Sequence, residues 1–558
     1  MMFPASVLHT NYCPTEAEVR QLRQLVAEPT TRLAALAQKI AVLQSQIDAL
    51  QAEHDALKSH LDAHNALLSP FRRLPVEIAQ RIFLECLPKR RNCVMSAEEA
   101  PLLLTRVCCS WRKLAHGCPR LWSRLHIYLP TPPLLSASSS GRALLSQKID
   151  RRLAGVRFWL GLARECPLSI SLHATYWAGD SLMGMLVPLS TRWEHLAVAA
   201  PASVLYRLQT LRGADVPCLK SLLIKPLYDD IEPAAGREYS SDWKDAQLLG
   251  APRLSRLSLA LREISLHELP ICWDNIAELS VDYIWGTSAA QAVKILARCA
   301  RLEICRIWVD DTIDMEHPLG PASVPVPPST VVKQETIQTL LMTFVGDSPV
   351  SLNYLSKALV LPHLRDFRCS MHATRSEVWN TIGTRSPAPL AALIFSSPKL
   401  LYCEIDSDLF ASQASLLEFI RALPAGLRVL ELYEAWGNAS WPMSRSIVDK
   451  EVLSLFLPTG GFCCPALEAL VFRHCASFTE LNLMELVRTR MVGNAAAATL
   501  RRLVVHWGRE MLFDVGEELG RLHRENANMD VRLLYPPEAS ETLEISPWEG
   551  LDDFVGWT

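Results

Sequence analysis

The 558-residue sequence has no apolar run approaching the ~18–20 residues that a bilayer-spanning helix requires, so a membrane protein built on such helices is not expected. It has no excess of positive charge either. Its 56 Lys and Arg face 59 Asp and Glu, a net charge of −3, and no segment gathers the cations. Binding to nucleic acid through phosphate neutralisation is therefore not expected. The opening stretch MMFPASVLHTNYCPTEAEVR lacks the basic n-region and long apolar core of a signal peptide, which points to the cytoplasm and/or nucleus. None of the 16 cysteines forms a C-x-x-C pair, and the adjacent pairs Cys108–Cys109 and Cys463–Cys464 cannot both ligate one metal. The cysteines read instead as small buried hydrophobes in a reducing compartment, with no metal and no cofactor. No G-x-S-x-G, P-loop or G-x-G-x-x-G stretch exists to cradle a phosphate or raise a serine nucleophile.

What the chain does contain is apolar substance, 49% against 21% charged, and the length of three or four domains or of one repetitive array. Its first segment, 1–29, precedes a helix at 30–68 that carries a heptad. Leu33, Ile40, Ile47, Leu61 and Leu68 fall at a, and Leu36, Leu43, Leu50 and Leu57 fall at d. That spacing keeps one apolar seam facing a partner helix. Val19, Leu22 and Val26 keep the register upstream, but Pro29 occupies a d position and is expected to break or kink the helix, which then starts near Thr30. His54 at a and His64 at d weaken the seam, and Glu53 with Lys58 is its one attractive g-to-e′ pair in a parallel dimer. A homodimer through this coiled coil and a helix packed on its own chain are both consistent with the pattern.

The stretch 69–129 holds two or three short helices with crowded apolar faces. After Pro75 come Ile78, Ile82, Phe83 and Cys86, and later Leu104, Val107, Cys108, Trp111 and Ala115. So few residues cannot bury so many large side chains, and the excess suggests a partner surface. The polar loop between them, Lys89–Ala100, is expected to bulge from the fold.

The order Leu74-Pro75-x-Glu77-Ile78, Ile82-Phe83, Leu87-Pro88, Val107-Cys108, Trp111-Arg112, Leu114-Ala115 and Pro119-x-Leu121-Trp122 resembles an F-box, specifically the F-box proteins abundant in mushroom-forming fungi. The preceding DAHNALLSPFRRLP resembles what those proteins carry before the motif. The resemblance covers about fifty residues and implies a three-helix module that docks a Skp-type adaptor on the cullin scaffold of a ubiquitin ligase. It assigns that contact to Leu74, Pro75, Ile78, Ile82, Leu87, Val107, Trp111 and Leu114. For Ile82 and Trp111 a role in the module's own core has equal weight.

After a linker at 130–141 the pattern changes to a recurring L-x-x-L-x-L. Its first positions are Leu219, Leu254, Ile276, Leu302, Ile337, Leu364, Leu400, Leu427, Leu467 and Leu500, spaced 22 to 40 residues apart. Helical stretches such as Ser288–Ala300, Ser415–Leu423 and Thr479–Met491 lie between. Short strands alternating with helices imply parallel pairing, and the cadence resembles an irregular leucine-rich-repeat α/β solenoid over 142–536, with an exposed proline-rich loop at 317–330 and an acidic tail at 537–558. Alternation within each strand sends Asp282, Arg306, Trp308, Asp310, Arg368, Glu404, Asp406, Glu431, Tyr433, Arg473 and His506 outward, where they would meet an unknown protein substrate.

Two other readings remain open at this stage. One is a ligase-independent scaffold using coiled coil and repeats. The other is an esterase, because Gly179-Asp180-Ser181-Leu182 spells the block of the GDSL hydrolases and Asp314-Met315-Glu316-His317 could mimic their Asp–His pair. The expectation from the whole sequence is a non-enzymatic substrate adaptor.

Overall fold

The computed structural model describes residues 10–68, 70–129, 139–175, 179–227, 243–260, 266–281, 287–310, 331–345, 349–372, 390–410, 412–434, 447–492, 500–525 and 529–535. The acidic tail, the proline-rich loop 317–330 and most of the linker 130–141 lie outside these residues. The chain divides into two units, Met1–Ile82 and Phe83–Thr558.

The first unit is dominated by one helix, Glu16–Leu68, of 53 residues. Glu18 fixes its first turn: the Thr15 amide and hydroxyl both donate to Glu18 Oε2, at 2.8 and 2.7 Å. Pro29 does not end it, contrary to expectation. Proline removes one amide donor and crowds the carbonyl four residues back. Around it, the hydroxyls of Thr30 and Thr31 donate to the Val26 and Ala27 carbonyls at 2.7 and 2.9 Å, and intact ladder on either side carries the helix across. All nine heptad residues from Leu33 to Leu68 are exposed. A second helix, Val76–Glu85, follows Pro75, whose carbonyl accepts the amides of Ile78 and Ala79.

The second unit opens with the helices Leu102–Val107 and Cys109–His116 and the 3-10 turn Pro119–Trp122. Phe83, Leu104, Ala115, Leu121 and Trp122 fill their core. From Arg124 onward the described residues build a single sheet of 14 strands, all parallel and stacked in chain order. The strands are Arg124–Leu129, Leu168–Ala174, Trp193–Ala200, Ser221–Pro226, Arg256–Leu259, Glu278–Val281, Ile304–Asp310, Thr339–Val345, Asp366–His372, Tyr402–Asp406, Val429–Tyr433, Ala469–Arg473, Arg502–His506 and Asp530–Leu534. Val332–Lys333 and Leu359–Val360 pair separately. The fold is α/β, a long N-terminal helix followed by a leucine-rich-repeat-like solenoid.

Alternation explains the strands. Leu279 and Val281, Cys305 and Ile307, Phe367 and Cys369, Leu430 and Leu432 are all buried, and their neighbours emerge on the other face. The crossover helices begin where side chains satisfy their first amides. Ser288 caps Ala289–Arg298, while Ser412 with Ser415, and Thr479 with Asn482, form reciprocal boxes on Gln413–Ala422 and Glu480–Val487.

Two sequence expectations fail at the start of the sheet. The first strand, Arg124–Leu129, lies inside the stretch read as helical module and before the linker, so the linker interrupts the repeat array and does not precede it. The loop Lys89–Ala100 does not bulge outward. Asn92 is buried between Ser169 and Ser171, donating to Ser171 Oγ at 3.2 Å and accepting from Ser169 Oγ at 2.9 Å. The Cys93 carbonyl accepts the His126 amide at 2.7 Å, and the Arg91 carbonyl accepts the Arg124 guanidinium at 2.7 Å. A first strand offers unpaired backbone along its outer edge, and this loop supplies it with a partner.

Trp122 ties the helices to the sheet's first crossover. Its indole donates to the Ala115 carbonyl at 2.9 Å and its ring meets Trp159, on the helix Ser139–Leu162, edge-on at 4.9 Å. All 16 cysteines are free thiols. Cys93, Cys299 and Cys464 are buried, which pushes their thiols up to about 12. Cys13, Cys86, Cys108, Cys109 and Cys272 are exposed and Cys166, Cys218 and Cys463 are half-buried, so the expectation of buried cysteines fails for these eight. Among the described residues no helix is long and apolar enough to cross a membrane.

At the far end Glu480 is fully buried and receives Arg509 at 2.9 and 3.2 Å, the Leu512 amide at 3.1 Å and the Tyr535 hydroxyl at 3.3 Å. Burial pushes its carboxyl up, but the Arg509 and backbone hydrogen bonds outweigh that and hold it below its ordinary 4.5. A carboxyl lowered in the folded state stabilises fully above its unfolded pKa and loses that contribution as pH falls through the folded value. Glu480→Gln is expected to cost about 3 kcal/mol at pH 7. The difference in melting temperature between variant and wild type should shrink below pH 4.5. A difference independent of pH would rule out the ionised carboxylate as the source.

Candidate functional site

The side chains that sequence reasoning selected lie on helical stretches of each unit and on the sheet of the second. On the helical segment, Leu74, Pro75, Ile78 and Ile82 are exposed, with Ile78 and Ile82 one turn apart on Val76–Glu85. Val107 is 55% exposed at the end of Leu102–Val107. Trp111 and Leu114 are half-buried on Cys109–His116, and the Trp111 ring lies 4.9 Å from Phe83, so it serves the module's own core at least in part. Leu87 is buried and cannot be an exposed anchor. It closes the turn after Val76–Glu85, its amide donating to Leu84. Val76 and Leu103 are exposed and were missed by the sequence reading. Their apolar neighbours Pro75 and Leu104 were the available signal.

The others lie on the open face of the sheet. Register places Arg306, Leu341, Arg368, Glu404, Glu431, Val471 and Val504 as successive rungs of one row, of which the two valines are buried. In the adjacent row Trp308 stands beside Thr343 and Ser370, and Tyr433 beside Arg473 and His506. Asp282 lies outside the described residues, as does the side chain of Asp310. The remaining outward residues are thus neighbours, and all but one of them are at least partly exposed.

Asp406 is the exception. It occupies an outward register position yet is fully buried, because its carboxylate accepts the Met371 amide at 3.1 Å and the Asp408 amide at 3.0 Å. It caps the turn Ser407–Leu409 and ties it to the preceding strand. A target cannot reach it.

The charges of this face are largely matched within it. Arg368 donates to both oxygens of Asp366 at 3.1 and 3.0 Å, approaches Glu404 at 3.7 Å and lies 4.7 Å above the Tyr402 ring. Its hydrogen bonds to Asp366 hold the guanidinium more firmly charged than usual. Burial, then the nearby Glu404, pushes the Tyr402 phenol up. Arg473 meets Glu431 at 2.7 Å. Burial also raises the Tyr433 phenol, which hydrogen-bonds Ser370, itself 2.9 Å from Thr343. Such half-exposed pairs add little stability one by one. Together they leave a face without a dominant sign, suited to recognition by aromatic contact and directed hydrogen bonds. Asp366, Tyr402, Thr343 and Ser370 were not selected from the sequence, although one more step of the same alternation reaches each of them.

The esterase-like block has a packing explanation. Gly179 opens the helix Gly179–Leu186, and a Cβ there would stand 2.9 Å from a Val204 methyl. Asp180 is engaged by Arg207, which bonds both its oxygens, and Ser181 is exposed. Asp314 and His317 lie outside the described residues.

No protein-family model matches the chain, and no curated protein matches it. Among solved structures it is similar to a chain of the crystallised Rad7 and Elc1 complex from yeast, at 12% identity and a TM-score of 0.34, covering 78% of this chain and 94% of that one. It is also similar to the leucine-rich repeat-containing protein LegL7 from Legionella pneumophila, at 12% identity and a TM-score of 0.29, covering 65% of this chain and 91% of that one.

Proposed function

We propose that this chain is a substrate-recognition adaptor of a cullin–RING ubiquitin ligase of the SCF type, acting in the cytoplasm or nucleus. Its F-box-like helices hold a Skp-type adaptor, and through it the cullin, while the open face of the sheet holds a protein target. The observation that carries the reading is the exposure of Leu74, Pro75, Ile78, Ile82 and Val107, apolar residues at the positions the F-box resemblance assigns to adaptor contact. Such a protein performs no bond chemistry. It contributes proximity, holding target and ligase together so that transfer becomes effectively intramolecular. Incubating the full chain with a purified Skp-type adaptor and measuring complex formation tests the first half. Absence of a complex at micromolar concentration removes the ligase reading and leaves the scaffold.

The second half is tested on the sheet face. Trp308 and Tyr433 are half-buried aromatics at outward positions, the composition of binding hot spots. With the proteasome inhibited, Trp308→Ala with Tyr433→Ala is expected to remove target proteins from the affinity-purified complex while adaptor binding and melting temperature stay as in wild type. A large fall in melting temperature would mark both rings as core.

A further inference from the structure

The helix Glu16–Leu68 runs unbroken through Pro29, which joins the upstream positions Val19, Leu22 and Val26 to the heptad that follows in one register. Its apolar seam is thereby longer than the sequence alone suggested, and from Val26 to Leu68 its apolar members are exposed. We infer that this seam binds a second copy of the chain as a parallel, in-register, two-stranded coiled coil. The inference is independent of the ligase reading, since it uses no residue beyond Leu68.

Three features select that occupant. The central layers put β-branched Ile40 and Ile47 at a and leucine at every d position from Leu36 to Leu57, the combination that favours two parallel strands over trimers. The flanking g-to-e′ contacts of the same arrangement are free of like-charge pairs: Lys39 meets Gln44′, Gln46 meets Gln51′, and Glu53 meets Lys58′. The third feature is the two imidazoles. In register, His54 faces His54′ and His64 faces His64′, so polar meets polar at both layers. In antiparallel pairing a faces d′. The full-length overlap then sets His54 against Pro29′ and His64 against Val19′, and the alignment that matches His54 with His64′ leaves only residues 50–68 overlapped. A shift of one heptad in the parallel sense sets His54 against Ile47′ or Leu61′. Full overlap and matched histidines coincide in one arrangement.

The test uses the full chain. Sedimentation is expected to give twice the 62.3 kDa mass at micromolar concentration. Chains carrying a donor or an acceptor fluorophore at the N-terminus should show strong energy transfer when mixed, because antiparallel pairing would separate the labels by about 80 Å, the length of the 53-residue helix. Ile47→Asp with Leu50→Asp, on an exposed helix face, should weaken self-association at least 100-fold with the melting of the sheet unchanged. His54→Ile with His64→Leu should tighten it at least tenfold. A monomer at tens of micromolar overturns the inference, as does a dimer without transfer, a dimer indifferent to the aspartates, or weakening by the histidine substitutions.

Discussion

Replacing Leu74 and Pro75 together by alanine is expected to lower affinity for a Skp-type adaptor about 100-fold. Truncating one buried apolar anchor at an interface costs about 1–3 kcal/mol, and two such losses of about 1.4 kcal/mol each, in the lower half of that range, give the roughly 2.7 kcal/mol of a hundredfold change. The substitution spares the local backbone. The Leu74 amide donates to Phe71, and the Pro75 carbonyl accepts the amides of Ile78 and Ala79, bonds that alanine can also make. Both side chains are exposed, so their removal opens no cavity. The measurement is a titration of purified adaptor onto wild-type and variant chains, with a melting curve for each. Stoichiometric capture by the variant at nanomolar adaptor would show that the contact lies elsewhere.

Trp122→Ala should have the largest effect on stability. The ring is fully buried, contacts Trp159 edge-on and donates to the Ala115 carbonyl, which also accepts the Cys118 amide, so its loss leaves a cavity and removes one of that carbonyl's hydrogen bonds. A buried tryptophan truncated to alanine costs about 3–5 kcal/mol. Because Trp122 joins Cys109–His116 to the helix Ser139–Leu162, the damage should concentrate at that junction. Limited proteolysis should cut the variant there before the rest of the sheet is attacked. A melting temperature and cleavage pattern equal to wild type would show that the junction is held by other contacts.

Ten of the 14 strands were legible because a leucine or isoleucine opens each signature and the period-2 alternation follows it. The missed strands lack that opening. Trp193 stands where leucine was sought, Leu168–Ala174 is apolar at alternate positions with no preceding anchor, and three residues separate Leu121 from Leu125 where two were expected. Burial supplied what spelling did not: Leu125, Ile127 and Leu129 are all fully buried. The outward residues were legible for the same reason, since alternation fixes the face. Asp406 was misread because alternation does not say when a short carboxylate turns back to cap its own loop. The helix through Pro29 was misread because the penalty of a proline is local, whereas helix propagation draws on turns to both sides. The loop at Asn92 was illegible: its partners Ser169 and Ser171 lie 77 and 79 residues away.

The first strand begins two residues after the turn Pro119–Trp122, with no flexible spacer between helices and sheet. Position along the sheet therefore translates into reach. Adjacent strands advance by about 4.8 Å, so a target gripped at Tyr433 is carried roughly 19 Å farther along the array than one gripped at Trp308, four strands earlier. In a ligase such a difference selects which lysines of the cargo come within range of the conjugating enzyme. Under the proposed ligase role the array would act as a graduated arm, and substituting contacts on successive strands would change the modified site without changing the identity of the cargo.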